Sequence, residues 1–197
     1  MNEIWAIILA AGESRRMGFP KMLLDFEGTT MIENVISNVY ESKVNKIMVV
    51  LGAVREPLVR VIEKSDVRYC FNDNYKEGML SSVICGFKNL PSDHNAVLVF
   101  QGDQPLIKSA VINTVIEAYL SSGRGIVIPV HKKKRGHPIL IDRKYRDEIK
   151  NLDPFGGLRS LAHKFSDDVF EVETEEPGIL MDFDTYDEYM KGINKIM

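Results

Sequence analysis

The stretch "IWAIILAAGESRRMGFPK" (residues 4–21) opens with an apolar run, Ile4–Ala10, and passes through small residues to cationic ones. An uninterrupted apolar run of this length reads as a strand covered on both faces, the strand type of parallel sheets. Similar runs recur outward along the chain at 46–52, 67–71, 96–102, 125–130 and 137–141. Segments with helical spacing lie between them, at 30–42, 55–65 and 109–123, and another helix begins near Ser81 or Ser82. In the first, Met31, Val35, Ile36, Val39 and Tyr40 share one face, with Thr29 or Thr30 as N-cap. Ser109 caps the segment 109–123 and Gly123 closes it. Strands alternating with helices give βαβ units, hence a Rossmann-like three-layer α/β/α fold with a mostly parallel sheet. In "IVIPVHKKKRGHPILI" (126–141) a polar turn joins two strand-like runs, so one antiparallel strand is expected. Without an internal repeat or low-complexity linker, residues 1–197 read as one domain.

Composition narrows the possible partners. A net charge of −3 supplies no general attraction to nucleic acid, so phosphate binding has to come from local clusters. The two cysteines, Cys70 and Cys85, match neither a disulfide framework nor paired zinc ligands and suit a reducing compartment. There is no long apolar span and no signal-peptide pattern at the amino terminus, so a cytoplasmic protein without a membrane partner is expected.

In such sheets, ligands gather over the carboxyl ends of the strands. The loop after the first run is therefore the first place to look. Gly12 and Gly18 let backbone N–H groups approach an anion, which a side chain would obstruct. Arg15 and Arg16 offer fork-shaped donors for phosphate oxygens, and Lys21 offers a point charge. A Walker A loop is excluded, because five residues separate the glycines and Lys21 follows Gly18 by three. The G-x-G-x-x-G dinucleotide fingerprint is absent too.

"AVLVFQGDQPLI" (96–107) ends a strand in Gly102-Asp103, placing an aspartate over the same sheet edge. It reads either as a turn cap before Pro105 or, beside a phosphate loop, as a ligand for Mg²⁺. In "GILMDFDTYDEY" (178–189), Asp182 and Asp184 point the same way if the segment is extended. Thr185 caps a short helix that follows.

"LAAGESRRMGFPK" (9–21) closely resembles the signature loop of the nucleotidyltransferase superfamily: L-A-A-G, then R-M-G or R-F-G, then lysine. The resemblance implies a loop wrapped around a nucleotide triphosphate. It assigns Leu9, Ala10, Ala11, Gly12, Glu13, Ser14, Arg15, Arg16, Gly18 and Lys21 to binding, with Arg16 and Lys21 steadying the reacting phosphates. It also makes Asp103, with Gly102 beside it, the ligand of a catalytic Mg²⁺, supported by Asp182 or Asp184. Ser82-Val83-Ile84-Cys85-Gly86 matches a nucleotide-recognition element of these enzymes, which implies roles for Gly78, Ser81 and Ser82 near the base or ribose.

Arg135-Gly136-His137-Pro138 resembles the "RGHP" element of one subgroup, the molybdenum cofactor cytidylyltransferases and their close relatives. "VVLGA" (49–53), "GDQPLI" (102–107), "GGLRSL" (156–161) and "PGILMDFDTYDEY" (177–189) agree with it, so the likeness spans nearly the whole chain. One departure stands out: Pro154-Phe155 occupies a loop that often reads Gly-Asp-x-Gly-Ala-Arg. The subgroup implies transfer of CMP from CTP to a molybdopterin-type acceptor, and a molybdenum hydroxylase as recipient of the product. Residues up to about 105 would serve nucleotide and metal, and those from about 106 the acceptor. His137 reads either as a packed neutral histidine or as an acceptor contact. Ala11 favours cytosine, since guanylyl-transferring relatives tend to carry L-A-G-G. A guanylyltransferase, another phosphate-acceptor nucleotidyltransferase and a non-catalytic cofactor carrier are the alternatives.

Overall fold

The computed structural model describes residues 3–196. Its strands are β1 (Ile4–Ala10), β2 (Asp25–Phe26), β3 (Thr29–Thr30), β4 (Lys46–Leu51), β5 (Arg68–Phe71), β6 (Ala96–Gln101), β7 (Ile126–His131), β8 (Lys134–Arg135), β9 (Ile139–Asp142) and β10 (Val169–Glu173). Its α-helices are α1 (Met31–Tyr40), α2 (Arg55–Ile62), α3 (Met79–Asn89), α4 (Ser109–Ser122), α5 (Arg146–Ile149), α6 (Gly157–Lys164) and α7 (Tyr186–Ile196). The main sheet runs β10-β7-β9-β6-β1-β4-β5, with β8 paired to β7, while β2 and β3 form a small antiparallel sheet.

β1 is paired in parallel on both sides, to β4 and β6. All seven of its residues are buried, and their side chains divide between two layers. Ile4, Ala6 and Ile8 pack with Ile32 and Val35 of α1, Leu58 of α2 and Ile112 of α4. Trp5, Ile7 and Leu9 face the other way, towards Val83 and Phe87 of α3 and Leu161 of α6. The continuous apolar run therefore feeds two cores, each buried side chain contributing roughly 1.5–3 kcal/mol relative to exposure.

β9 is the expected antiparallel strand, inserted between β6 and β7 and opposed to both. It begins at Ile139, not at residue 137, because Gly136 and His137 leave the ladder. The Gly136 N–H donates to the Pro129 carbonyl at 2.8 Å and the His137 N–H to the Ile179 carbonyl at 3.1 Å. Three other expectations are corrected. Tyr40 is 68% exposed, and Ile32 takes its place in the stripe of α1, since a buried face at helical spacing runs 31, 32, 35, 36, 39. Ser109 is the first residue of α4; Lys108 holds the cap position and makes no side-chain cap bond. α3 starts at Met79, before either serine, because Gly78 at φ +100° ends the preceding turn. Thr30 is confirmed as the N-cap of α1, in a capping box with Glu33, and Gly123 closes α4 at φ +68°. No helix among the described residues is long and apolar enough to cross a membrane.

Candidate active site

The loop after β1 is knotted about Ser14, which has φ +55°. Its carbonyl accepts from Met17 and Gly18, and its hydroxyl accepts from the Lys21 N–H at 3.1 Å. Met17 is buried in a satellite cluster with Phe26, Met31, Phe183 and Tyr189. That anchor leaves Gly12, Arg15, Arg16 and Gly18 exposed. Arg15 pairs with Glu13 at 2.6 Å, so of the two arginines only Arg16 turns towards Asp184.

The second part follows β6. The Gly102 N–H donates to the Leu9 carbonyl at 3.0 Å, and a Cβ on Gly102 would stand 2.9 Å from that same oxygen. The close approach requires glycine and sets Asp103, 6% exposed, beside the end of β1. From α1, the buried Asn38 amide donates to the Pro105 carbonyl at 2.9 Å and fixes the far side of this loop.

The third part comes from the carboxyl-terminal region. Met181 has extended backbone, residues 181–184 form no helix, and Phe183 points into the cluster with Phe26 and Met17. Its neighbours Asp182 and Asp184 therefore point together to the opposite side. Thr185 caps α7, an eleven-residue helix and not a short one: its hydroxyl accepts from the Glu188 N–H while the Glu188 carboxylate accepts from the Thr185 N–H.

These three parts converge. Lys21 Nζ bonds Asp103 Oδ2 and lies 2.9 Å from Asp184 Oδ1, while Arg16 holds Asp184 Oδ2 at 2.7 Å. Burial works against a charged Lys21, but Asp103 and then Asp184 outweigh it and raise its pKa. Burial likewise opposes a charged Asp184, yet Lys21 and Arg16 hold its carboxyl below the usual range. Asp182 lacks such a partner: burial first, then Asp103 and Asp184, push its pKa up. Asp103, Asp182 and Asp184 each offer an oxygen, all within 4.8 Å of one another. Such a hard, crowded carboxylate set fits a divalent cation of the Mg²⁺ type, whose charge would relieve their mutual repulsion.

On the other flank of the site, Gly78, Ser81 and Ser82 are brought near Asn72, a residue the sequence reading passed over. The buried Asn72 amide donates to Ser81 Oγ at 2.9 Å and to Ser82 Oγ at 3.0 Å, and its carbonyl oxygen accepts from the Asn74 N–H. Ser82 is thereby engaged inside the fold, while Gly78 stands in open space.

His137 lies against Gln101, with Gln101 Nε2 3.3 Å from His137 Nε2. Burial lowers its pKa to about 4, against the opposing pull of Asp103, so the ring is neutral at pH 7. It also forms part of the wall of a cavity of about 710 Å³, so packed histidine and acceptor contact are compatible here. Gln101 and Arg159 also line that wall; both lie in the quoted stretches 96–107 and 156–161, but neither was singled out as a site residue.

A family model, the MobA-like NTP transferase domain, matches residues 6–169. The chain belongs to this family. Within the MobA-like transferases it is 27% identical over 190 residues to the molybdenum cofactor cytidylyltransferase of Escherichia coli K12, covering 96% of this chain and 95% of that protein. It is 29% identical over 179 residues to a probable molybdenum cofactor guanylyltransferase of Methanosarcina mazei, covering 87% and 78% respectively. The crystal structure of Rv0371c from Mycobacterium tuberculosis H37Rv superposes with a TM-score of 0.87 at 21% identity, over 98% of each chain. That protein has also been solved in complex with manganese, where the TM-score is 0.80 at 20% identity. The same fold is shared with a solved nucleotidyl transferase from Methanothermobacter thermautotroptrophicus, at a TM-score of 0.85 and 22% identity over 99% of this chain and 98% of that one.

Proposed function

We propose that this MobA-like transferase moves CMP from CTP to the terminal phosphate of a molybdopterin-type acceptor. The observation that carries the reading is the convergence of Lys21 and Arg16 with three carboxylates over one sheet edge. An oxygen of the acceptor phosphate attacks the α-phosphorus of CTP in line. A new P–O bond forms, the bond between the α- and β-phosphates breaks, and pyrophosphate leaves. The attacking phosphate is ionised at neutral pH, so no side chain has to remove a proton.

Each residue then has a task. The loop from Leu9 to Lys21 cradles the triphosphate, with Arg16 and Lys21 turning from Asp184 and Asp103 to the phosphates and favouring the leaving pyrophosphate. Asp103, with Asp182 or Asp184, would hold Mg²⁺, which when bound supplies charge neutralisation and orientation of the phosphate oxygens. Gly78 and the start of α3 face the base or ribose, and His137 faces the acceptor. This assigns residues to about 105 to nucleotide and metal, and the remainder to the acceptor. The likeness to the Escherichia coli cytidylyltransferase along nearly the full length of both chains supports CTP, as does Ala11. The Methanosarcina relative favours a second reading in which GTP is the donor.

Equilibrium binding of CTP, GTP, ATP and UTP, each with and without Mg²⁺, is the test. Magnesium-dependent preference for CTP that disappears in Asp103→Ala supports the proposal, and pyrophosphate release on adding molybdenum cofactor completes it. Preference for GTP moves the assignment to guanylyl transfer. Tight cofactor binding with no nucleotide turnover would point to a carrier.

A further inference from the structure

Phe155 is fully exposed, 100% open to solvent. It stands at the wall of the 710 Å³ cavity, which is also lined by His137 and by Gln101, the last residue of β6 and two positions before Asp103. The interior of that cavity is apolar, with Leu80, Val83 and Val99 among the lining side chains. Its charged and titratable lining is Arg135, Arg159, His137 and His163, with no aspartate or glutamate. Arg135 is engaged by Glu171 at 2.6 Å, whereas Arg159 makes no ion pair among the described residues. Arg159 lines the same cavity wall as His137, so a guanidinium without an acidic partner borders the space next to that ring.

Local backbone presents the Phe155 ring. The Phe155 N–H donates to Asp153 Oδ1 at 3.1 Å, and the N–H groups of Gly156 and Gly157 reach the Asp153 carbonyl at 3.1 and 3.0 Å. Gly157 has φ +53°, so the turn into α6 is fixed without any packing of the aromatic ring. An aromatic side chain displayed this way beside an apolar, acid-free cavity matches a ligand that is flat, conjugated and anionic.

We propose that Phe155 is the stacking platform of the acceptor site, holding a planar heterocycle of pterin type while Arg159 faces its phosphate. This deepens the transferase reading and rests on it for the acceptor's identity. Phe155 would thus act in specificity and not in chemistry.

The test uses the whole protein, an air-stable oxidised pterin phosphate followed by its own fluorescence, and a hexose phosphate as non-aromatic control. CTP binding and transfer to molybdenum cofactor are measured alongside. Phe155→Ala is expected to weaken pterin phosphate binding roughly tenfold, the scale of one lost aromatic stack. Phe155→Tyr should restore it, Phe155→Leu should not, and CTP affinity should be the same in all. Because Phe155 is unpacked, these variants retain the fold. Equal pterin affinity in wild type and Phe155→Ala, or no pterin binding by either, overturns the platform. So does rescue by Leu as complete as by Tyr. If pterin binding depends on Phe155 but no nucleotide is transferred, the platform stands and the transferase reading falls. If transfer proceeds with the same acceptor KM in Phe155→Ala, the transferase reading stands and the platform falls.

Discussion

Lys21 Nζ lies 2.9 Å from Asp184 Oδ1, joining residues 163 positions apart in the chain. The same amine bonds Asp103, so one cation spans two of the three carboxylates that would receive a metal. Lys21 therefore has two sets of partners in prospect, the carboxylates in the free protein and the phosphates of a bound nucleotide. Arg16, bonded to the other oxygen of Asp184, is placed for the same exchange.

Lys21→Ala should lower turnover by about 10²–10³-fold, the usual scale for losing one donor to developing negative charge. Steady-state rates of pyrophosphate release would show it. The nucleotide Kd should change far less than the turnover number. Unchanged turnover would remove Lys21 from its assigned role.

The same substitution should tighten binding of a divalent cation to the nucleotide-free protein, because a competing ammonium has been removed. Isothermal titration with Mg²⁺ or Mn²⁺ measures this directly. In wild type, cation binding should weaken as pH falls through the raised pKa of Asp182, since a ligating carboxylate must be deprotonated. Asp182→Asn should abolish that part of the pH dependence. Retention of the same profile in Asp182→Asn would exclude its carboxyl from the site.

His137 predicts an acid-sensitive fold. Its pKa is about 4 in the folded protein and 6.5 as the ordinary value, so the unfolded chain binds more protons between those limits. Stability is at its full value above pH 6.5 and falls as pH drops towards 4, by on the order of 3 kcal/mol from this residue. Urea unfolding across that range should show a shallower slope for His137→Gln. An identical slope would mean that the ring is solvated.

Asn72→Ala should destabilise the protein by about 2–3 kcal/mol, through loss of three hydrogen bonds in a buried setting. Thermal or urea denaturation checks the loss. Nucleotide affinity should fall with it, because the segment carrying Gly78 loses its tie to α3.

Where local pattern and tertiary packing agree, the sequence was readable. The run 4–10 corresponds residue for residue to β1, because burial on both faces leaves no polar position in it. Asp182 and Asp184 were legible as a pair, since a strand-like segment with Phe183 between them can present them only together. Boundaries set by distant partners were not. β9 loses its first two expected residues, because the His137 N–H bonds to Ile179 instead and Pro138 has no N–H to give. The short strands β8 and β10 carry exposed, charged residues, so no apolar run announces them. Asn72 was invisible because an isolated asparagine has no periodicity, and its worth lies in serines nine and ten residues away.

By itself, the sequence determined a doubly covered parallel sheet and a loop of glycines and cations at the end of its first strand. Both follow from short-range chemistry: apolar continuity for the sheet, and bare backbone with positive charge for the loop. Only the tertiary structure decided that Asp103, Asp182 and Asp184 bring oxygens within 4.8 Å, and that Lys21 and Arg16 hold that cluster in balance. It alone placed Phe155 and Arg159 at one cavity with His137. The physical reason is distance along the chain: contacts between residues far apart in sequence are set by how strands and helices stack, which no local pattern encodes.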